Sequence, residues 1–253
     1  MIAHHQAPNA IANFQASIHH AILQIKDCRG ESEVATLLRD IVRGFGVTSY
    51  VFVSIRSDDS GPANHRYLIG CTPKWCQMYN AKKWLYIDPF IEYARNNSMP
   101  IAGSAIRPNT AGQTELLAAA AENGFRSGAV IPAHSGNSKR IGVLYLGSQL
   151  PPEQIEPTLM QNRSSLRAVA MELFEWSEAQ IRAEVIASLN VNDVDVALLK
   201  LVHEGFTVEE IAKLLGIAKP IIQTKIRHLN EKFEVRSKKH AAEKAIELGI
   251  LAA

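Results

Sequence analysis

The sequence predicts an α+β protein in two parts. The first is an N-terminal α/β/α sandwich with an antiparallel sheet, and the second is a C-terminal all-α, four-helix domain of helix-turn-helix type. Three observations predict this. Helical spacing and β-branched runs alternate through the first part, and the strands face each other across turn-forming runs rather than through helices. From Val191 onward only helical spacing remains. Positive charge, which nearly cancels over the 253 residues at a net +2, gathers near the end: Lys219 to Lys239 holds seven Lys/Arg against two Glu, a net +5.

Taken in order, Ile18, Ile22 and Ile25 line one helix within a span that opens at about Ala10 and breaks at Asp27 and Gly30. Val34, Leu37, Leu38, Ile41 and Val42 line a second, which ends at Gly44–Phe45–Gly46. Thr48–Ile55 reads as a strand, Ser57–Asn64 as its turn and Tyr67–Ile69 as its hairpin partner. Two short helices follow, over Lys74–Lys82 and Pro89–Asn96. Asp88 serves the second as N-cap and Pro89 as its first residue, where a missing N–H costs nothing. Thr114–Asn123 is an alanine-rich helix stopped by Gly124. Gly128–His134 and Arg140–Gly147 form a second strand pair across Ser135–Gly136–Asn137. A single long helix over Glu153–Val185 completes a domain of residues 1–186, and residues 187–190 read as a linker.

Residues 191–253 carry four helices. Asn192 or Asp193 caps the first, which Gly205 ends. Thr207 with Glu210 is a capping box opening Val208–Leu215, and Gly216 supplies the turn. The third, Ala218–Phe233, turns Ile221, Ile222, Ile226 and Leu229 to the core, and the fourth runs from Ser237 to Gly249. In a helix-turn-helix the second helix of the pair enters the major groove of duplex DNA. Gln223 and Arg227, one turn apart, are the base-reading candidates, since Gln pairs with adenine and Arg with guanine in bidentate fashion. Lys219, Lys225, Lys232, Arg236, Lys238 and Lys239 are the phosphate-contacting candidates.

Composition excludes several classes. A hydrophobic fraction of 47% and a charged fraction of 21% are ordinary for a globular chain. Three cysteines, Cys28, Cys71 and Cys76, argue against a disulfide framework and for a reducing cytoplasm. No apolar run spans a bilayer, and the opening residues do not read as a signal peptide, so no membrane association is expected. His4, His5, His19 and His20 show no metal-ligand spacing with the cysteines, and no metal or cofactor is expected.

Gly205-Phe-Thr-Val-Glu-Glu-Ile-Ala-Lys-Leu-Leu-Gly-Ile followed by Lys232-Phe-Glu-Val-Arg-Ser-Lys closely resembles the DNA-binding domain of LuxR-type quorum-sensing regulators. Trp75-x-x-x-Tyr79 with Asp88-Pro89 is similar in spacing to the acyl-homoserine-lactone pocket of that family, and Gly124-Phe-Arg-Ser-Gly128-Ala-Val-Ile-Pro132 to a later segment of it. The resemblance covers nearly the whole chain. It implies a transcriptional regulator rather than an enzyme, dimeric, binding a small autoinducer and double-stranded operator DNA, with RNA polymerase or an antiactivator as further partners. It also implies roles: the Trp75 indole donating to a lactone carbonyl, Asp88 accepting from the ligand amide, Tyr79 lining the acyl side. Tyr145 stands where the family places a small hydroxyl residue and is an added partner.

The chain departs from the family at Cys71, where a tyrosine is usual, at Gly103, where a tryptophan is usual, and at Asp195, where a glutamate is usual. The first two reshape the pocket, so a different chain length, an aromatic acyl group, or a ligand-independent regulator stay open. Two further readings compete. A phosphorylated receiver requires an acidic pair after an early strand, which Asp27, Asp40, Asp58 and Asp59 do not form. A hydrolase using Cys71 or Cys76 lacks any supporting nucleophile, metal or phosphate-loop motif.

Overall fold

The computed structural model describes residues 17–56, 65–136 and 140–251. The expected turn at Ser57–Asn64, Asn137, the start of the first helix and the histidines His4 and His5 lie outside them. The described chain forms two compact units, one ending at Ser177 and the other beginning at Glu178.

The first unit is built on a five-stranded antiparallel sheet of order β2-β1-β5-β4-β3, from β1 (Ser49–Arg56), β2 (Arg66–Gly70), β3 (Ile101–Ala102), β4 (Ser127–His134) and β5 (Arg140–Ser148). The two expected hairpins are present. They join through β1 and β5, paired over eight positions from Ser49↔Gly147 to Arg56↔Arg140. Strand alternation sends Tyr50, Phe52, Leu144, Leu146 and Ile131 to one face, where they pack with α1 (residues 17–24), α2 (Glu31–Arg43), α6 (Pro152–Gln161) and the first part of α7 (Arg163–Ser188). Val53, Ile55, Val130 and Val143 point the other way, toward α4 (Pro89–Asn96). α3 (Pro73–Ala81) and α5 (Ala111–Glu122) contribute Trp75, Leu116 and Ala120 to a further cluster.

Gly128 sets a close backbone approach. Its φ is +155°, and a Cβ there would collide with the Leu146 carbonyl across the β4–β5 ladder. The long helix expected over Glu153–Val185 is instead two helices. The Asn162 N–H still reaches the carbonyls of Thr158 and Leu159 at 3.2 Å, its side chain takes the Thr158 carbonyl at 2.8 Å, and its own carbonyl accepts from Leu166. Asn162 therefore closes α6 and opens α7, a local bonding choice that helical periodicity does not register. α7 also runs on to Ser188, through part of the expected 187–190 linker.

The second unit is helical: α8 (Asp193–His203), α9 (Val208–Leu215), α10 (Lys219–Lys232) and α11 (Lys238–Glu247). Asn192 caps α8 in a reciprocal box with Asp195, and Thr207 does the same for α9 with Glu210. Gly216, at φ +65°, turns the chain from α9 into α10, a conformation that costs a residue without Cβ little. Leu198, Ile211, Ile222, Leu229 and Ala245 form its core. Ile221, expected in that core, is 53% exposed, because the inward stripe of α10 runs through Ile222, Ile226 and Leu229 and leaves it a quarter-turn outside.

Candidate functional site

The first unit holds a cavity of about 110 Å³ between the sheet face and α3, α4 and α5. Each wall follows from a local sequence rule. Thr72 accepts from the Trp75 N–H at 3.3 Å and starts α3, which sets Trp75, Cys76 and Tyr79 along one side. Asp88 starts α4 by accepting from the Phe90 N–H through Oδ1 at 2.8 Å. Its Oδ2 accepts from the Tyr79 hydroxyl at 2.7 Å. Leu116 and Ala120, four apart on α5, close a third side, and Tyr145 on β5 closes the floor.

Trp75 sits at the centre of an aromatic cluster, with ring centroids 5.6 Å from Trp84, 5.7 Å from Tyr79 and 6.0 Å from Phe125. The polar groups are few. Burial pushes the Asp88 carboxyl up to about 6 from its ordinary 3.8, while hydrogen bonds from Tyr79 and the N–H groups of Phe90 and Ile91 pull it back. Burial also drives the Tyr79 and Tyr145 phenols well above their ordinary value, so both stay protonated donors. The Tyr145 hydroxyl oxygen is buried with no hydrogen-bond partner among the described residues. A sealed, unpaired hydroxyl costs about 1–3 kcal/mol, which a ligand atom recovers.

Of the six pocket residues expected from sequence, Trp75, Tyr79, Asp88 and Tyr145 come together on this cavity, and Cys71 and Gly103 lie outside its lining. Cys71 packs on the outside of the Trp75–Trp84 cluster with its sulfur 3.5 Å from that of Cys76. Its thiol is pushed up to about 12, chiefly by burial, which is opposite to what a nucleophile needs. Gly103 lies beyond β3, near Gly128 and Glu156, because the strand pairing with β4 carries it past the cavity's end. Phe90 and Val51 line the cavity without a functional signal in sequence beyond helical spacing and alternation, while Phe125 lies in the quoted Gly124–Pro132 segment.

In the second unit, Gln223 and Arg227 are exposed on α10; Arg236, beyond its end, and Lys239 on α11, 4.0 Å from Glu243, are exposed too. The remaining lysines are engaged inside the unit. Lys225 holds Asp195 at 2.8 Å, Lys232 reaches the Asn190 carbonyl and lies 4.0 Å from Asp195, Lys238 donates to the Phe206 carbonyl at 3.1 Å, and Lys219 pairs with Glu209. Among the described residues no group of three or more His, Cys, Asp or Glu is arranged to hold a metal, and no helix is long and apolar enough to cross a membrane.

An α/β/α unit with a small apolar chamber and a few fixed polar groups, followed by a helical unit with a helix–turn–helix element, defines a ligand-receiving regulator. The Autoinducer binding domain family matches residues 30–176, and the chain belongs to that family. It is 26% identical over 217 residues to the transcriptional activator TraR of Agrobacterium vitis, covering 83% of this chain and 88% of TraR. It is 29% identical over 193 residues to the transcriptional activator AhyR of Aeromonas hydrophila, covering 72% and 71%. Among solved structures, SdiA in complex with octanoyl-rac-glycerol shares the fold at a TM-score of 0.60 and 17% identity, with 92% of this chain and 95% of that one covered. The chain is a regulator of this kind and not an enzyme.

Proposed function

We propose that the protein is a cytoplasmic quorum-sensing transcriptional regulator that binds an N-acyl-homoserine-lactone-like signal and thereby controls the hold of a homodimer on operator DNA. The observation that carries the reading is the pairing, on one apolar cavity, of an unpartnered Tyr145 hydroxyl with the Asp88 carboxylate. An acyl amide supplies what these two lack: a carbonyl for Tyr145 to donate to and an N–H for Asp88 to accept. Trp75 takes the lactone carbonyl and Tyr79 bounds the acyl chain. The cavity is smaller than the ~150 Å³ space that accepts a benzene ring, so the chain enters as the surrounding side chains yield. That SdiA was solved with an octanoyl glycerol, an acyl body on a small polar head, supports the same ligand shape here.

In the second unit, α10 presents Gln223 and Arg227 to base edges, while Arg236, beyond its end, and Lys239 on α11 meet phosphates. Two copies, joined through the helices at 153–188, read a two-fold site. RNA polymerase or an antiactivator then meets the DNA-bound dimer. A ligand that binds only the folded chain stabilises it by about 2.7 kcal/mol at a hundredfold excess over Kd.

The test is mass spectrometry of small molecules released from protein expressed beside a lactone-producing strain, repeated with Asp88→Asn. Wild-type protein releases an acyl compound and the variant releases markedly less. Equal occupancy in the two overturns the ligand assignment.

A further inference from the structure

The cavity has a neighbour. A cleft of about 410 Å³ lies on the far side of Phe90, Phe125 and Tyr145, which line both spaces. The rings of Phe90 and Tyr145 stand 5.7 Å apart at 48°, so the partition is made of side chains that change rotamer rather than of a hydrogen-bonded ladder. The cleft opens at Gly103, where a Cβ would find its nearest neighbours only at 3.6 Å.

Two cations stand on its rim. Arg107 and Arg126 both line the cleft, both are exposed, and neither has an ion-pair or hydrogen-bond partner among the described residues. Glu156, beside Gly103, is buried and already answered by the N–H groups of Ser104 at 3.1 Å and Gly128 at 3.2 Å and by the Ser104 hydroxyl. The unpartnered Tyr145 hydroxyl sits in the wall between this cationic cleft and the apolar cavity.

We propose that cavity and cleft are two chambers of one ligand site, the second of which receives the carboxylate of an open-chain N-acyl amino acid. The inference rests on the acyl-amide reading above and narrows it. With the acyl chain in the cavity and the amide at Asp88 and Tyr145, the carboxylate of the open-chain acid, no longer held in a ring with its carbonyl at Trp75, turns past the partition into the cleft. A carboxylate there meets two guanidiniums whose planar forks match its two oxygens. Both guanidiniums are exposed, so the carboxylate is met at a hydrated rim. A neutral lactone ring leaves both arginines unused.

The experiment titrates the full-length protein by calorimetry with N-octanoyl-homoserine, the ring-opened acid, and with its lactone. Wild type is compared with the double variant Arg107→Gln/Arg126→Gln, whose exposed positions leave folding intact. The acid binds wild type and weakens tenfold or more in the variant, while the lactone changes less than twofold. Tyr145→Phe weakens both compounds in otherwise unaltered protein. Failure of the acid to bind where the lactone does, equal weakening of both in the arginine variant, or an acid affinity within twofold of wild type there overturns the second chamber and leaves the acyl-amide reading standing. If neither compound binds, that reading falls and takes this inference with it.

Discussion

The Tyr79 hydroxyl and the Phe90 N–H divide the Asp88 carboxylate between them, one on Oδ2 at 2.7 Å and the other on Oδ1 at 2.8 Å. The helix cap and the cavity's acid are thus the same group. With the Ile91 N–H as a third donor, one lone pair of the carboxylate remains, so a ligand N–H joins these bonds without displacing them.

Asp88 also makes stability depend on pH in an unusual direction. Its carboxyl is held near 6 in the fold against an ordinary 3.8, so between those values the folded state binds more protons than the unfolded. Its stabilising share is complete below about pH 4 and is lost as pH rises through 6. About two pKa units correspond to roughly 1–3 kcal/mol. Asp88→Asn removes this titration, so the fall in Tm of ligand-free protein between pH 5 and 7.5 is shallower in the variant than in wild type. The measurement is calorimetric melting across that range; parallel curves for the two proteins count against a raised Asp88.

Trp75→Ala opens a hole against three other rings and costs about 3–5 kcal/mol, enough to lose soluble protein. Trp75→Phe keeps most of the ring contact and deletes the indole N–H. It lowers Tm by a few degrees at most and weakens lactone binding by roughly tenfold, the worth of one hydrogen bond to a ligand carbonyl. Melting and titration of the same preparation separate the two effects, and a Phe variant with unchanged affinity removes Trp75 from the polar contacts.

Gly128→Ala is expected to be among the most damaging substitutions in the first unit. The new Cβ meets the Leu146 carbonyl, a backbone atom that cannot turn aside, and φ of +155° is strained for any residue with a side chain. The loss exceeds about 3 kcal/mol and is read as loss of soluble yield. Gly103→Ala, with neighbours no closer than 3.6 Å, leaves yield and Tm within about 0.5 kcal/mol of wild type.

These contrasts mark what the sequence carries. The hairpins were legible because turn residues sit between strands, and Trp75, Tyr79 and Asp88 stand out through their resemblance to a family motif within fourteen residues. The pairing of β1 with β5 joins segments some ninety residues apart, and no local signal encodes which strand edges meet. The arrival of Tyr145 beside Asp88 depends on that pairing, so its place in the cavity rested on resemblance alone. Cys71 and Gly103 were judged by what they replace, whereas their positions follow from the cluster around Trp75 and from the β3–β4 register. The break at Asn162 turns on one side-chain hydrogen bond inside an unbroken apolar pattern.

The basic helix α10 divides by the same logic, and the division predicts opposite outcomes for neighbouring cations. Lys225 answers the Asp195 carboxylate at 2.8 Å, where Asp195 is only 7% exposed and also caps α8. Lys225→Ala removes the closest cation from that carboxylate, leaving it the Asn192 N–H and the more distant Lys232, and costs about 1–3 kcal/mol of stability. Any loss of DNA binding then follows from the fold. Arg227 and Gln223 are exposed and support nothing in the core, so Arg227→Ala and Gln223→Ala leave Tm unchanged. Each costs about 1–3 kcal/mol of discrimination at one base position. Arg236→Ala weakens binding to all sequences alike and lowers the salt dependence by about one ion. Selection from a randomised duplex library, followed by fluorescence anisotropy at several salt concentrations, checks all four variants. If Lys225→Ala melts like wild type while Arg227→Ala unfolds the domain, the assignment of reading and supporting cations on α10 is reversed.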